Sequence, residues 1–330
     1  MLTNGKNRER VLVTGAAGFI GHHLVGYLKD RGYWVRGADR REPEFEPSRA
    51  DEFLVLDLRG MDAAATASDG VTHVYALAAE MGGIGFIERE QAMIMRDSVL
   101  IDTSSLEAAR QNGVTRYLYT SSACVYPRHR QLTTDAQPLK EDEAYPADAE
   151  GGYGWEKLFG EQLCAHFRAD FGLETRVARL HNVYGPLGAW QGGREKSPAA
   201  LCRKVAMASD GDEIEIWGDG AQRRSYCFID DCVEGLHRLM LSDHAAPLNI
   251  GQTRGVSINE LVDLLAGIAG KRVSRRHLLD APQGVRGRSS DNTLVRATLG
   301  WEPLITLEEG MTRTYRWISE MVERAGTMRS

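Results

Sequence analysis

Apolar and polar positions follow two alternating rhythms through roughly the first half of the chain. Arg10–Thr14 (R-V-L-V-T) is a short apolar run that enters a glycine-rich turn, the pattern of a buried strand. Phe19–Arg31 has helical spacing at Ile20, Leu24 and Leu28, with Gly32 as its stop. Strands are expected at Tyr33–Ala38 with Asp39 at its end, at Phe53–Leu56 followed by Asp57, and at Val71–Ala78, Arg116–Ser121 and Glu174–Leu180. Long helical patterns cover roughly Glu90–Gln111 and Trp155–Phe171. Strand–helix alternation of this kind predicts an α/β fold, a Rossmann-type doubly wound parallel sheet with helices on both faces.

After Tyr184-Gly185-Pro186 the periodicity weakens, and Gly188–Pro198 (G-A-W-Q-G-G-R-E-K-S-P) has the composition of a functional loop. Helices are expected at Pro198–Ala208, Asp231–Leu241, Ser257–Ala269, Thr293–Leu299 and Leu307–Arg324, and extended structure at Glu213–Trp217 and Arg223–Asp230. There are no repeats, low-complexity tracts or long linkers. The expected division is a dinucleotide-binding domain over 1–185 with a returning segment near 226–255, interleaved with a smaller substrate-binding domain over 186–225 and 256–330.

The 330 residues suffice for one large or two smaller domains, and 42% hydrophobic with 26% charged residues is ordinary globular composition. A net charge of −6 gives no reason to expect nucleic acid or an acidic membrane surface as a partner, although Arg40–Arg41, Arg223–Arg224, Arg286 and Arg288 could meet phosphates locally. The five cysteines (124, 164, 202, 227 and 232) form no C-x-x-C pair. An odd count without a signal peptide points to reduced thiols in the cytosol. The stretch Met1–Arg10 is polar, and no run approaches the ~20 apolar residues of a membrane span. A cytoplasmic protein without a metal site is expected.

Thr14–Gly21 reads T-G-A-A-G-F-I-G. Gly15, Gly18 and Gly21 permit the tight turn, the close approach of backbone to a pyrophosphate and the packing of helix on sheet, while the helix N-terminus, starting at Phe19 and Ile20, meets the anion. The loop follows a strand, opens a helix and has Asp39 at the end of the next strand, the context that dinucleotide binding requires. Asp39 would accept both hydroxyls of the adenine ribose and favours NAD; Arg40 and Arg41 pull toward a 2′-phosphate. Asp57 is equally readable as a partner for the adenine amine or as a helix N-cap.

Ser122, Tyr153 and Lys157 have the spacing of a tyrosine-dependent hydride-transfer site. Tyr153 and Lys157 are four apart, on one helix face. A phenol with a pKa near 10 is a poor base at neutral pH, and a neighbouring ammonium and the nicotinamide charge are expected to lower it. The glycine loop, S-S-A-C-V-Y and Y-G-W-E-K together identify the chain as a member of the extended short-chain dehydrogenase/reductase superfamily. From position alone Cys124 is as readable as a small buried strand-end side chain as it is as a proton-transfer group.

Longer motifs carry a narrower resemblance. A-A-E-M-G-G-I-G-F (78–86), S-S-A-C-V-Y-P (121–127), H-N-V-Y-G-P (181–186), G-G-R-E-K-S-P-A-A (192–200), W-G-D-G-A-Q-R-R-S (217–225), F-I-D-D-C-V-E-G (228–235) and G-V-R-G-R-S-S-D-N (284–292) closely resemble the GDP-mannose 3,5-epimerase family. The resemblance implies transient oxidation at C4 by bound NAD, inversion at C3 and C5 to GDP-L-galactose or GDP-L-gulose, and return of the hydride. It implies Cys124 and Lys196 as the acid/base pair. It implies substrate contacts at Gly82, Ser122, Ala123, Asn182, Glu195, Lys204, Gln222, Arg224 and Arg288, with Arg286 the close alternative to Arg288. A homodimer formed through the helices near 90–111 and 155–171 is implied as well. Arg223 stands where the plant enzymes have a smaller polar residue.

The chemistry agrees, since a C4 ketone makes both the C3 and the C5 hydrogens acidic. Cys124 and Lys196 suit the task if their pKa values are drawn toward neutrality. Arg224 and Arg288 are expected to clamp the diphosphate. Outside this motif context Lys196 would read as a solvated loop charge and the arginines as surface solubility. Two other readings stand beside the epimerase: an epimerase-reductase of the GDP-fucose-forming type, which would use NADPH and a histidine, and a non-catalytic dinucleotide sensor.

Overall fold

The computed structural model describes residues 8–327; Met1–Asn7, most of the polar N-terminal stretch, lie outside the described residues. The first half runs β1 (Arg10–Thr14), α1 (Phe19–Asp30), β2 (Trp34–Asp39), β3 (Glu52–Val55), α2 (Met61–Ser68), β4 (His73–Ala76), α3 (Ile84–Arg89), α4 (Gln91–Gln111), β5 (Arg116–Ser122), α5 (Gly151–Phe171) and β6 (Glu174–Leu180). Then follow β7 (Val183–Tyr184), α6 (Ser197–Met207), β8 (Glu213–Trp217), β9 (Arg223–Ser225), β10 (Cys227–Phe228), α7 (Ile229–Leu241) and β11 (Pro247–Ile250). The chain ends with β12 (Gly255–Ser257), α8 (Ile258–Ala269), β13 (Ser274–Leu278), β14 (Gly287–Arg288), α9 (Thr293–Leu299) and α10 (Leu307–Thr327).

Seven strands form one sheet in the order β11-β6-β5-β4-β1-β2-β3, every neighbouring pair parallel. Side chains of a strand alternate between faces, and both faces here are buried. Val11, Val13, Tyr75 and Leu118 pack with Leu24 and Leu28 of α1 and Leu236 of α7 on one side. Leu12, Val74, Tyr117 and Tyr119 pack with Ala67 of α2, Leu106 of α4 and Cys164 of α5 on the other. Strand order reverses between β1 and β4, so the loops at their carboxyl ends diverge and open the crevice in which such sheets bind ligands.

The expected α/β architecture holds, with differences at particular elements. Helix α5 begins at Gly151 rather than Trp155, because Gly-Gly-Tyr-Gly offers no apolar period while still forming the first turn. β11 was not expected: its four residues include Asn249, fully buried and bonded through its side chain to the Leu139 carbonyl. β6 carries Arg176 and Arg179 into the interior, where Arg179 pairs with Glu161 of α5 at 2.7 Å. Outside the main sheet, β9 lies between β12 and β14, with Arg224 opposite Arg288. Among the described residues no helix is long and apolar enough to cross a membrane.

Candidate active site

A cavity of about 730 Å³ lies over the carboxyl ends of the sheet strands. It collects residues from the glycine loop, the ends of β2 and β5, α5, the Gly188–Pro198 loop and β14. Every residue expected in the site lines it except Arg286.

At one end sits the turn after β1. Gly15 has φ +68°, and a Cβ added at Gly21 would stand 2.2 Å from the Gly15 carbonyl oxygen, so side chains there would fill the space over the helix start. The Thr14 hydroxyl accepts the Leu77 and Ala78 N–H groups at 3.1 Å each, tying the ends of β1 and β4 together. The Asp39 carboxylate accepts the Ala17 N–H at 3.0 Å and the Arg41 N–H at 3.3 Å. Arg40 is engaged with Glu80 at 2.8 Å, which neutralises a cation that would otherwise favour a 2′-phosphate. These residues fit a dinucleotide, with Asp39 placed for the ribose hydroxyls. Asp57 lines the cavity but is not the N-cap of α2. Its carboxylate is gripped by the Arg59 side chain at 2.5 Å, and Gly60 is the N-cap of α2.

The hydride-transfer residues converge at the middle. Tyr153 and Lys157 are buried on α5, and the Lys157 ammonium lies 5.8 Å from the centre of the Tyr153 ring. Burial pushes the Tyr153 phenol above its ordinary value, against the pull of Lys157 and Ser122. The expected lowering is therefore not achieved by the protein alone, because desolvation of the phenolate outweighs one neighbouring ammonium. Burial also pulls Lys157 down, but Glu156, Asp102 and Tyr153 outweigh it and hold the lysine above its usual range. Its partners are the Tyr119 hydroxyl at 3.3 Å, Glu156 at 3.5 Å and Asp102 at 4.0 Å.

The far end holds the second pair of reactive groups. Cys124 stands on a single 3-10 turn after β5, its N–H donating to the Ser122 hydroxyl at 3.2 Å. Burial raises the thiol despite the nearby Arg288 guanidinium, a correction to the expected shift toward neutrality. Lys196 is the N-cap residue of α6 and lines the cavity. Burial lowers its pKa, as expected, with small opposing contributions from Cys124 and Cys232. Its loop is fixed by the Gly83 N–H on the Arg194 carbonyl (3.0 Å), by Arg194 on Glu80 (2.9 Å) and by Glu195 on Arg203 (2.9 Å).

The remaining expected contacts divide. Gly82, Ala123 and Gln222 are buried at the cavity wall. Asn182 adopts φ +32° and donates to the Ser225 carbonyl at 3.1 Å, and Lys204 donates to the Glu215 carbonyl at 2.7 Å. Arg286 turns away to pair with Asp219 at 2.8 Å, so Arg288 is the arginine that enters the cavity. Nor is Arg288 a free diphosphate clamp: it donates to Gln131 (2.6 Å), Cys124 Sγ (3.4 Å) and Glu150 (2.6 Å). Sequence reasoning missed Glu150 and Glu80, which line the cavity, and Gln131, Glu156 and Asp102, which hold Arg288 and Lys157 from behind it. Glu80 and Glu156 lay inside quoted motifs, A-A-E-M-G-G-I-G-F and Y-G-W-E-K; the others carried no local signal. Among the described residues no group of three or more His, Cys, Asp or Glu is placed to hold a metal.

The sheet, the glycine turn and the Ser122–Tyr153–Lys157 arrangement define a dinucleotide-dependent enzyme of the extended short-chain dehydrogenase/reductase class. Residues 11–251 match the model of the NAD dependent epimerase/dehydratase family, and the chain belongs to that family. GDP-mannose 3,5-epimerase 1 of Oryza sativa subsp. japonica is 47% identical over 320 residues, covering 96% of this chain and 84% of its own. GDP-mannose 3,5-epimerase of Arabidopsis thaliana is 46% identical over 317 residues, covering 96% and 83%. Among solved structures, UDP-glucose 4-epimerase from Thermotoga maritima with UDP-glucose superposes with a TM-score of 0.86 at 27% identity, covering 95% of this chain and 99% of that one.

Two outcomes follow from this geometry. Asp39→Ala should weaken NAD by roughly 10–100-fold, the loss of charge-assisted hydrogen bonds, and narrow the preference over NADP. Equal NAD affinity in variant and wild type by calorimetry would show that Asp39 serves only the loop. Glu156 is fully buried, and burial raises its carboxyl to about 7. The folded value lies above the unfolded one, so the protonated acid stabilises the fold below about pH 4.5, and that contribution is lost as pH rises through about 7. Glu156→Gln should therefore be less destabilised than wild type on going from about pH 5 to about pH 7.5 in urea titrations. Parallel pH profiles would sink the assignment.

Proposed function

We propose that the protein inverts C3 and C5 of GDP-mannose through a transient C4 ketone, with no net redox change. The observation that carries this reading is the placement of Cys124 and Lys196, from separate segments, in one cavity with Tyr153 and Lys157. NAD, when bound, takes up the C4 hydride and returns it. Tyr153 takes the C4 hydroxyl proton, helped by the Lys157 ammonium, and Ser122 orients the hydroxyl. Cys124 and Lys196 exchange protons at C5 and C3, whose hydrogens are acidic only beside the ketone. Burial raises the thiol and lowers the lysine, so the two shifts run in opposite senses, the thiol toward a proton donor and the lysine toward an acceptor. Arg224 and Lys204 supply positive charge for the diphosphate, and Arg288 holds the sugar end. Residues 1–185 with 226–255 serve the cofactor and the rest serve the substrate. The 47% relative supports the substrate, and no histidine stands among the described lining residues to act as the epimerase-reductase reading requires.

The exposed face of α4 and α5, with Met93, Leu100, Trp155 and Phe159 each more than two-fifths exposed, suits a homodimer. Sedimentation equilibrium should give about twice the 36.5 kDa chain mass; a concentration-independent monomer mass contradicts it. Cys124 is half-buried and the other four free thiols are buried, a usage that suits a reducing cytoplasm.

Incubation with GDP-mannose in deuterated water, read by NMR, tests the chemistry. Wild type should place deuterium at C3 and C5. Cys124→Ser and Lys196→Ala should each slow that exchange by at least ~10²–10⁴-fold while the folded protein still binds the sugar nucleotide. Tyr153→Phe should abolish turnover with NAD still bound. Wild-type exchange in Cys124→Ser would leave the thiol as packing only.

A further inference from the structure

We propose that Glu150 is a positioning residue that keeps Cys124 a neutral thiol in the resting site, by neutralising the Arg288 guanidinium that lies against its sulfur. The inference rests on the reading of Cys124 as an acid/base group.

The geometry ties Glu150 to Cys124 twice. Its backbone N–H donates to the Cys124 carbonyl at 2.9 Å. Its carboxylate holds Arg288 Nη2 at 2.6 Å, while Nη1 of the same guanidinium donates to Cys124 Sγ at 3.4 Å and Nε is fixed by Gln131 at 2.6 Å. Arg288 is only 7% exposed, so the guanidinium has no alternative in solvent. The charged and titratable groups facing the thiol are Arg288 on β14, Arg224 on β9, Lys196 before α6, Glu150 at the N-cap of α5 and Tyr153 on α5. Glu150 is the one carboxylate in that set. The Arg288 guanidinium donating to the sulfur, with Arg224 near it, would otherwise favour the thiolate, the state of reactive cysteines. Burial disfavours the thiolate, and the Glu150 charge offsets Arg288, so the thiol stays above its ordinary value.

A neutral thiol can act first as donor. Once Lys196 has taken the proton from the opposite face and left the C–H electron pair in an enolate, the S–H bond breaks, its electron pair stays on sulfur, and the enolate's electron pair takes the proton to form the new C–H bond. Arg288 is already in place to hold the thiolate that remains.

Alkylation by iodoacetamide reads the thiolate directly and needs no sugar nucleotide. Cys124 opens to the cavity and the other four cysteines are buried, so the modification is selective, with Cys124→Ser as the blank. The midpoint of alkylation rate against pH should fall by about one unit or more in Glu150→Gln, which keeps the shape and a partner for Arg288. That is a roughly tenfold faster reaction at neutral pH. Glu150→Ser should show the same direction, and Glu150→Asp should restore the wild-type midpoint to within about 0.3 unit. Charge-removing variants whose midpoint stays at or above wild type would overturn the inference. If instead the midpoint moves as expected while wild type exchanges no deuterium into GDP-mannose, the substrate assignment fails and the role of Glu150 stands.

Discussion

The close approach of the first turn of α5 to the end of β5 is the constraint on which the site depends. A Cβ added at Gly154 would stand 2.4 Å from the Cys124 carbonyl oxygen, and that same oxygen accepts the Glu150 N–H. Only glycine lets the two segments come this near. The approach places Tyr153 and Lys157, on the helix, beside Ser122 and Cys124, on the strand end and the turn that follows it. Oxidation at one carbon and proton transfer at its neighbours need both sets of groups within one sugar's width, and a single backbone contact sets that spacing.

Bringing so much charge into the interior is tolerable only because each buried ion has a counter-ion or a neutral fallback. Lys157 lies among Glu156, Asp102 and Tyr119. Arg179 is clasped by Glu161, which also accepts the Ser121 hydroxyl, so the pair braces α5 against β5 and β6. Arg288 has Glu150. Glu156 makes the least complete arrangement: its carboxylate oxygens find no hydrogen-bond donor, and the acid takes up a proton near neutral pH instead. Burial lowers the pKa of Lys196, against Cys124 and Cys232.

What was legible in the sequence was local. The strands up to β6, the glycine turn, Asp39 and the Tyr153–Lys157 pair are written in short-range periodicity and spacing, and they stand close to where they were expected. The choice between Arg286 and Arg288 was not local. It is decided by the pairing of β14 with β9, which turns Arg288 inward and leaves Arg286 to Asp219. The partnership of Glu150 with Arg288 spans 138 residues and leaves no trace in either segment. The phenol of Tyr153 was misjudged for the same reason, since desolvation depends on everything packed around it. Asp57 is the exception: Arg59, two residues on, was visible in the sequence and decides its role.

The shared fold does not choose the reaction. The Thermotoga maritima structure superposes over nearly the whole chain, yet carries the name of a 4-epimerase. The difference required between inverting one hydroxyl carbon and inverting its two neighbours is small in structural terms. Returning hydride to either face of a ketone needs only the tyrosine and a sugar free to turn. Inverting the flanking carbons needs two additional proton carriers, on opposite faces, and a sugar that does not turn. In the proposed mechanism the first carrier is Cys124, two residues after Ser122. The second in that mechanism, Lys196, comes from a loop that is fixed to the β4–α3 segment through Gly83 and Glu80 and to α6 through Arg203. Fixing matters because a lysine on a loose loop would sample water and regain its ordinary basicity. Burial shifts the pKa of Lys196 downward, the direction that makes a lysine a better proton acceptor for the proposed exchange.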